Sequence, residues 1–245
     1  MFKKIYCFAM LLLLIALISC DDNKNVDSKN PSNQTSIANT TLAEDNRNIT
    51  LEVVAVTTPI PSEIINQFIE DIKSIEKQEN KIIALVNTEK IFYHDFLDYK
   101  ALYEFSYNEG LNARKDDSQE LKQKYIDDYQ KTDDQLIDVI IRNYVVKNEA
   151  IKSGITVTNS EALEAAKQEM ADLKEHANDK YEITLKAYEM SEEDYIKNIK
   201  TKNAMLSLYI KKYNKWFYEK NPAVEYKVLE NHVDNLVASA NIIKY

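Results

Sequence analysis

The chain has 245 residues, enough for one sizeable core, and its 31 basic and 40 acidic residues give a formal net charge of −9. That balance, without any run of lysine and arginine interleaved with aromatics, excludes nucleic acid as a partner. Two cysteines and two glycines leave no disulfide framework and no glycine-rich phosphate loop.

Residues 1–20, MFKKIYCFAMLLLLIALISC, combine a basic start, an apolar run and a small residue before Cys20. The run is too short for a membrane span and reads as a secretory signal over residues 1–19. Leu17-Ile18-Ser19-Cys20 looks like a bacterial lipobox, which makes Cys20 the site of a thioether-linked diacylglycerol and the first residue of the mature chain. Two acyl chains, at about 0.8 kcal/mol per buried CH₂, hold a protein stably to a bilayer. Removing residues 1–19 also removes Lys3, Lys4 and Cys7, leaving 29 basic and 40 acidic residues, a net of −11 with no spare thiol. Residues 20–49 are rich in Asp, Asn, Ser and Thr. They bury too little to offset chain entropy and read as a lipidated, disordered tether.

Residues 50–80 begin with TLEVVAVT, a short strand, followed by Pro59 and Pro61 and an amphipathic helix over 62–78 with Ser62 as its cap. That helix either packs on the folded domain or docks elsewhere. KIIALVNTEKIF at 81–92 is β-rich with a turn near Asn87-Thr88. A helix over 94–110 then places Phe96, Tyr99, Tyr103 and Tyr107 on one side, an aromatic stripe that suits a core or a cradle. Residues 110–117 read as a loop. Residues 118–130 form a polar helix that covers a surface or moves.

The organising stretch is 132–170. Thr132 with Gln135, and Thr158 with Glu161, have the spacing of capping boxes. Between them, Leu136, Ile137, Ile140, Ile141, Tyr144 and Val145 make an apolar face broad enough for a helix packed on more than one side. Gly154 stands where a helix stop needs a left-handed residue. A shorter helix follows at 181–188, and a long one, capped by Ser191, runs from 191 to about 217. After Asn221-Pro222 come a last helix at 224–238 and an edge strand at 241–245.

The run from Lys147 to Glu161, K-x-E-A-x-K-x-G-I-x-V-T-x-x-E, resembles the N-terminal chaperone domain of the SurA/PrsA-type extracytoplasmic foldases. M-S-E-E-D-Y-I-x-x-I-K from Met190 is similar to that domain's last long helix, and Ala84-Leu85-Val86-Asn87 to the end of its first strand, with Thr88 where glycine is usual. A non-glycine residue held left-handed in that turn costs about 1 kcal/mol. The resemblance covers 81–217 and, weakly, the helix and strand of 218–245. It leaves residues 50–80 outside.

The resemblance implies a mainly α fold, a helical SurA-N/trigger-factor-like chaperone domain with a few short strands. Many relatives carry a parvulin prolyl-isomerase domain before the C-terminal helix, but the gap between Phe217 and Ala223 has no room for one. His94, His176 and His232 are isolated, and the acidic pairs Asp133-Asp134 and Glu192-Glu193 sit at helix starts where the dipole accounts for them. The implied protein is therefore not an enzyme, needs no cofactor or metal, and binds unfolded or partly folded secreted proteins through Phe96, Tyr99, Tyr103 and Tyr144. Lipid on Cys20 places it on the extracytoplasmic face of the cell membrane, and the abundance of Ile, Lys and Asn suits a Gram-positive source. Its oligomeric state is open. One alternative is a lipoprotein adaptor for one dedicated envelope partner. Another, a solute-binding lipoprotein, needs two α/β lobes that the pattern does not provide.

Overall fold

The computed structural model describes residues 59–245 apart from Ala223, so the signal, Cys20, the tether and the strand expected at 50–57 lie outside the described residues. Helix α1 (Ser62–Ile75) precedes a hairpin of β1 (Ile82–Val86) and β2 (Glu89–Phe92). Then come α2 (Tyr93–Ala113), α3 (Gln119–Tyr129), α4 (Asp133–Lys152), α5 (Asn159–His176) and α6 (Asn178–Tyr188). Helix α7 starts at Glu192–Tyr195, passes through a π turn at Ile196–Lys200 and continues over Thr201–Lys220. Helix α8 (Tyr226–Ser239) and β3 (Ile242–Lys244) complete a mainly α fold with one small sheet.

Helix α4 is the hub. Both halves of the Thr132–Gln135 capping box form, and Leu136, Val139, Ile140, Ile141, Asn143, Val145, Val146 and Ala150 are buried. Its first half packs with Ile83, Ala84, Val86 and Ile91 of the hairpin, and with Phe96 and Tyr103 of α2. Its second half shares a core with Ile210, Tyr213 and Phe217 of α7 and with Leu229 and Val233 of α8. One helix thus serves two cores, which is why its apolar face is broad.

The stop after α4 is a Schellman motif. The Ile155 amide donates to the Ala150 carbonyl at 2.9 Å and the Gly154 amide to the Ile151 carbonyl at 3.0 Å, with Gly154 at φ 81°. A Cβ on Gly154 would meet no atom within 4 Å, so Gly154→Ala carries only the backbone penalty. Urea unfolding should show a loss of about 1 kcal/mol. The second capping box also forms, and Lys212 joins it at 2.7 Å from Glu161. Lys212 first, and then the Thr158 amide and hydroxyl, hold the Glu161 carboxyl down at about 2.

Helix α1 packs on the domain. Phe68, Ile69 and Ile72 share a core with Ala101 and Phe105 of α2 and Ala187 of α6, and the Phe68 and Phe105 rings stack at 4.6 Å. Two local expectations are corrected. Ser62 is the first helical residue after Pro61 and caps nothing. In the hairpin, the left-handed residue is Asn87 (φ 57°), not Thr88; asparagine tolerates that conformation far better than a β-branched residue. The sheet order is β2-β1-β3, all antiparallel, with β3 at the edge as its sequence indicated.

Candidate functional site

Tyr99, Tyr103 and Tyr107 recur every four residues along α2, preceded by Phe96, so one stripe runs the length of the helix. Phe96 (3 % exposed) and Tyr103 (5 % exposed) are buried against the hairpin and α4, and Tyr99 and Tyr144 are half-buried on the same core. The structure thus brings all four expected client-binding residues into one cluster, but not as an open cradle. Phe96 and Tyr103 are covered by the sheet and α4 and sit in the core of the folded domain rather than on an open surface. Burial pushes Tyr99 and Tyr144 up to about 12 and raises Tyr103 further, so these phenols stay neutral donors.

At its far end the stripe emerges under α3. Stacked or tilted rings link Tyr103 to Tyr107 at 6.4 Å, Tyr107 to Tyr125 at 5.7 Å and Tyr125 to Tyr129 at 4.8 Å. Helix α3 contributes no buried residue, so this ladder is its main attachment. The Tyr125 hydroxyl donates to the Tyr107 carbonyl at 3.2 Å, and Lys122 Nζ donates to the Lys115 carbonyl. The Arg114 guanidinium lies 4.3 Å from the centre of the Tyr125 ring while Nη1 donates to the Gly110 carbonyl at 2.8 Å. Reading α3 as a polar helix missed Tyr125 and Tyr129; their i, i+4 spacing beside the Tyr107 stripe was the available signal.

Gly110 makes that attachment possible. A Cβ there would stand 2.1 Å from the Tyr125 hydroxyl oxygen, closer than atoms can approach. Gly110→Ala should therefore push the Tyr125 hydroxyl off the Tyr107 carbonyl and loosen α3. The global midpoint should hold or rise slightly, since alanine favours a helix interior by about 0.5–1 kcal/mol. Amide exchange checks this: protection should fall over α3 and persist in α4.

With this geometry in hand, a comparison against family models matches residues 48–208 to the SurA-like N-terminal domain. The chain belongs to the SurA-like N-terminal domain family. Searches of curated proteins and of solved structures find no match. The family is chaperone-like, and its fold is the mainly α one described. The match begins at residue 48 and so takes in α1, which the sequence pattern had left outside the resemblance. It ends within α7, so α8 and β3 lie beyond it although they complete the sheet and the second α4 core.

Within this SurA-like domain a second polar cluster sits on the opposite side of α2. The Tyr188 phenol of α6 donates to the Asp98 carboxylate, with Tyr195, Lys202 and Asn203 of α7 nearby. Burial raises the Asp98 carboxyl against the opposing pull of that hydrogen bond. The adjoining π turn is pinned where the Thr201 hydroxyl donates to the Ile196 carbonyl at 2.7 Å. Among the described residues no three His, Cys, Asp or Glu side chains gather as a metal site. His94, His176 and His232 bond instead to the Gln78 carbonyl, the Asp172 carbonyl and the Tyr213 hydroxyl. The void between α4, α7 and α8, beside Asn143, Ile210 and Leu229, has about 30 Å³, room for one water.

Proposed function

We propose that this protein is a membrane-anchored extracytoplasmic holdase that assists secreted or envelope proteins without catalysing a reaction. The observation that carries the reading is the match of residues 48–208 to the SurA-like N-terminal domain. The tyrosine ladder supports it, because aromatic side chains offer large contact area at low entropic cost to clients of varied sequence. The acidic surface keeps a client-loaded complex soluble.

Anchoring rests on Leu17-Ile18-Ser19-Cys20. Cells fed labelled palmitate should transfer label to the protein, and Cys20→Ser should abolish it; label surviving that change removes the lipobox from the proposal.

The holdase reading is tested with the full chain in nanodiscs of zwitterionic lipid, by light scattering from an unrelated unfolding protein. Suppression at near-stoichiometric ratio is expected. No suppression at any ratio sinks general chaperoning and leaves a dedicated adaptor, for which crosslinking in cells should return one saturable folded partner.

A further inference from the structure

The tyrosine ladder holds an orphan. Tyr103 is 5 % exposed and its hydroxyl has no hydrogen-bond partner among the described residues, although the phenols of Tyr99, Tyr107 and Tyr125 are close enough to act on it electrostatically. A buried hydroxyl left unpaired costs free energy and calls for an explanation. It lies at the inner end of a ladder whose outer rungs belong to α3, which has no buried residue. A helix so held sits at the low end of local stability. Displacing it exposes the faces of Tyr107 and Tyr125 and opens a way to the Tyr103 hydroxyl, which can then pair with a main-chain amide or carbonyl.

The surroundings select the chemistry of what enters. Residues 114–134 carry seven carboxylates against five cations. Several of those cations are engaged: Arg114 on the Tyr125 ring, Lys122 on the Lys115 carbonyl and Lys124 on Asp128. Asp116, Asp117, Glu120, Asp127 and Asp134 take part in none of the ion pairs among the described residues. Leu121, 55 % exposed, adds an apolar contact on α3 itself. Arg114 already shows that a guanidinium fits the Tyr125 face.

We propose that the cleft opened between α2 and α3 when α3 is displaced binds extended polypeptide segments that carry arginine or lysine beside apolar residues, with Arg114 as the internal occupant that the client's cation displaces. The tyrosine faces take the cation and the apolar side chains together. The carboxylates of the α3 region supply attraction that salt weakens. This inference rests on the holdase reading and names its client class.

The test uses the full chain in zwitterionic nanodiscs and two labelled peptides, one alternating arginine with leucine and one with glutamate in place of arginine. Fluorescence anisotropy should show binding of the first, weakening with salt, and little of the second. Replacing Tyr125 and Tyr129 together by alanine should weaken binding about tenfold. Tyr125→Phe, which keeps the ring and loses the bond to the Tyr107 carbonyl, should retain it. Arg114→Gln vacates the ring face and should tighten binding roughly threefold. Equal binding of the two peptides, an unchanged affinity in the double alanine variant with helix content intact, or weaker binding in Arg114→Gln overturns the proposal. So does peptide release that tracks self-association by sedimentation, which assigns the cleft to a second copy of the chain. If the native chain suppresses aggregation while the peptide pattern fails, only the cleft assignment falls; if it suppresses nothing, the holdase reading falls with it.

Discussion

Phe96→Ser destabilises the domain by about 3–5 kcal/mol, the range for removing a buried phenyl ring. Phe96 is 3 % exposed and belongs to the core formed by the hairpin, α2 and the first half of α4. Serine leaves a cavity and places a hydroxyl where Ile91, Leu136 and Ile140 offer it no partner. The urea midpoint should fall steeply with an unchanged slope, because the same surface is exposed on unfolding. A loss under about 1 kcal/mol would mean that the ring is a surface contact after all, and would return Phe96 to the list of client residues.

This result bears directly on how client binding is to be mapped. The expected contact set of Phe96, Tyr99, Tyr103 and Tyr144 mixes core and half-buried side chains of one cluster. Loss of the proposed holdase activity in Phe96→Ser or Tyr103→Ser would report unfolding and say nothing about clients. The rungs contributed by α3 escape that ambiguity, since no residue of α3 is buried and none belongs to either α4 core.

What was legible in the sequence was local. The two capping boxes, the Gly154 stop and the Ser191 cap each consist of side chains a few positions apart, and each forms as its spacing indicates. The breadth of the α4 face was legible for the same reason. The stripe on α2 was visible as a period, but which end is covered depends on the hairpin and α4, and no local pattern encodes that. Val86 pairs with Glu89, so Asn87 and Thr88 form the turn, and Asn87 rather than Thr88 takes its left-handed position. The π turn at Ile196–Lys200 has no signature in the helical pattern around it. The contact between Asp98 and Tyr188 joins residues 90 apart, and each looks alone like an ordinary helix residue.

That contact should govern stability against pH. Tyr188→Phe removes the phenol that donates to Asp98 and costs about 1 kcal/mol or more, as expected for the loss of a buried hydrogen bond. Burial raises Asp98 above the ordinary carboxylate value of 3.8, with Asp95 adding to the rise and Tyr188, Lys202 and Asn203 opposing it. Between 3.8 and the folded-state value, the folded chain holds a proton that the unfolded chain has released. The stabilisation due to this raised value is full below 3.8 and is lost as pH rises through the folded value. Asp98→Asn cannot ionise and keeps an oxygen to accept from Tyr188, so its stability relative to the native chain should climb across that window and level off above it. Tyr188→Phe removes a hydrogen bond that lowers the Asp98 value, so the native loss should extend to higher pH in that variant. Urea unfolding at a series of pH values checks both, and parallel curves for the native and Asp98→Asn chains would sink the assignment. The bond holds α2 to α6 beside α7, on the side of α2 away from α3. One helix is thereby fixed along its first half by a carboxyl–phenol pair and a packed core, while its last turns carry α3, a helix that contributes nothing buried.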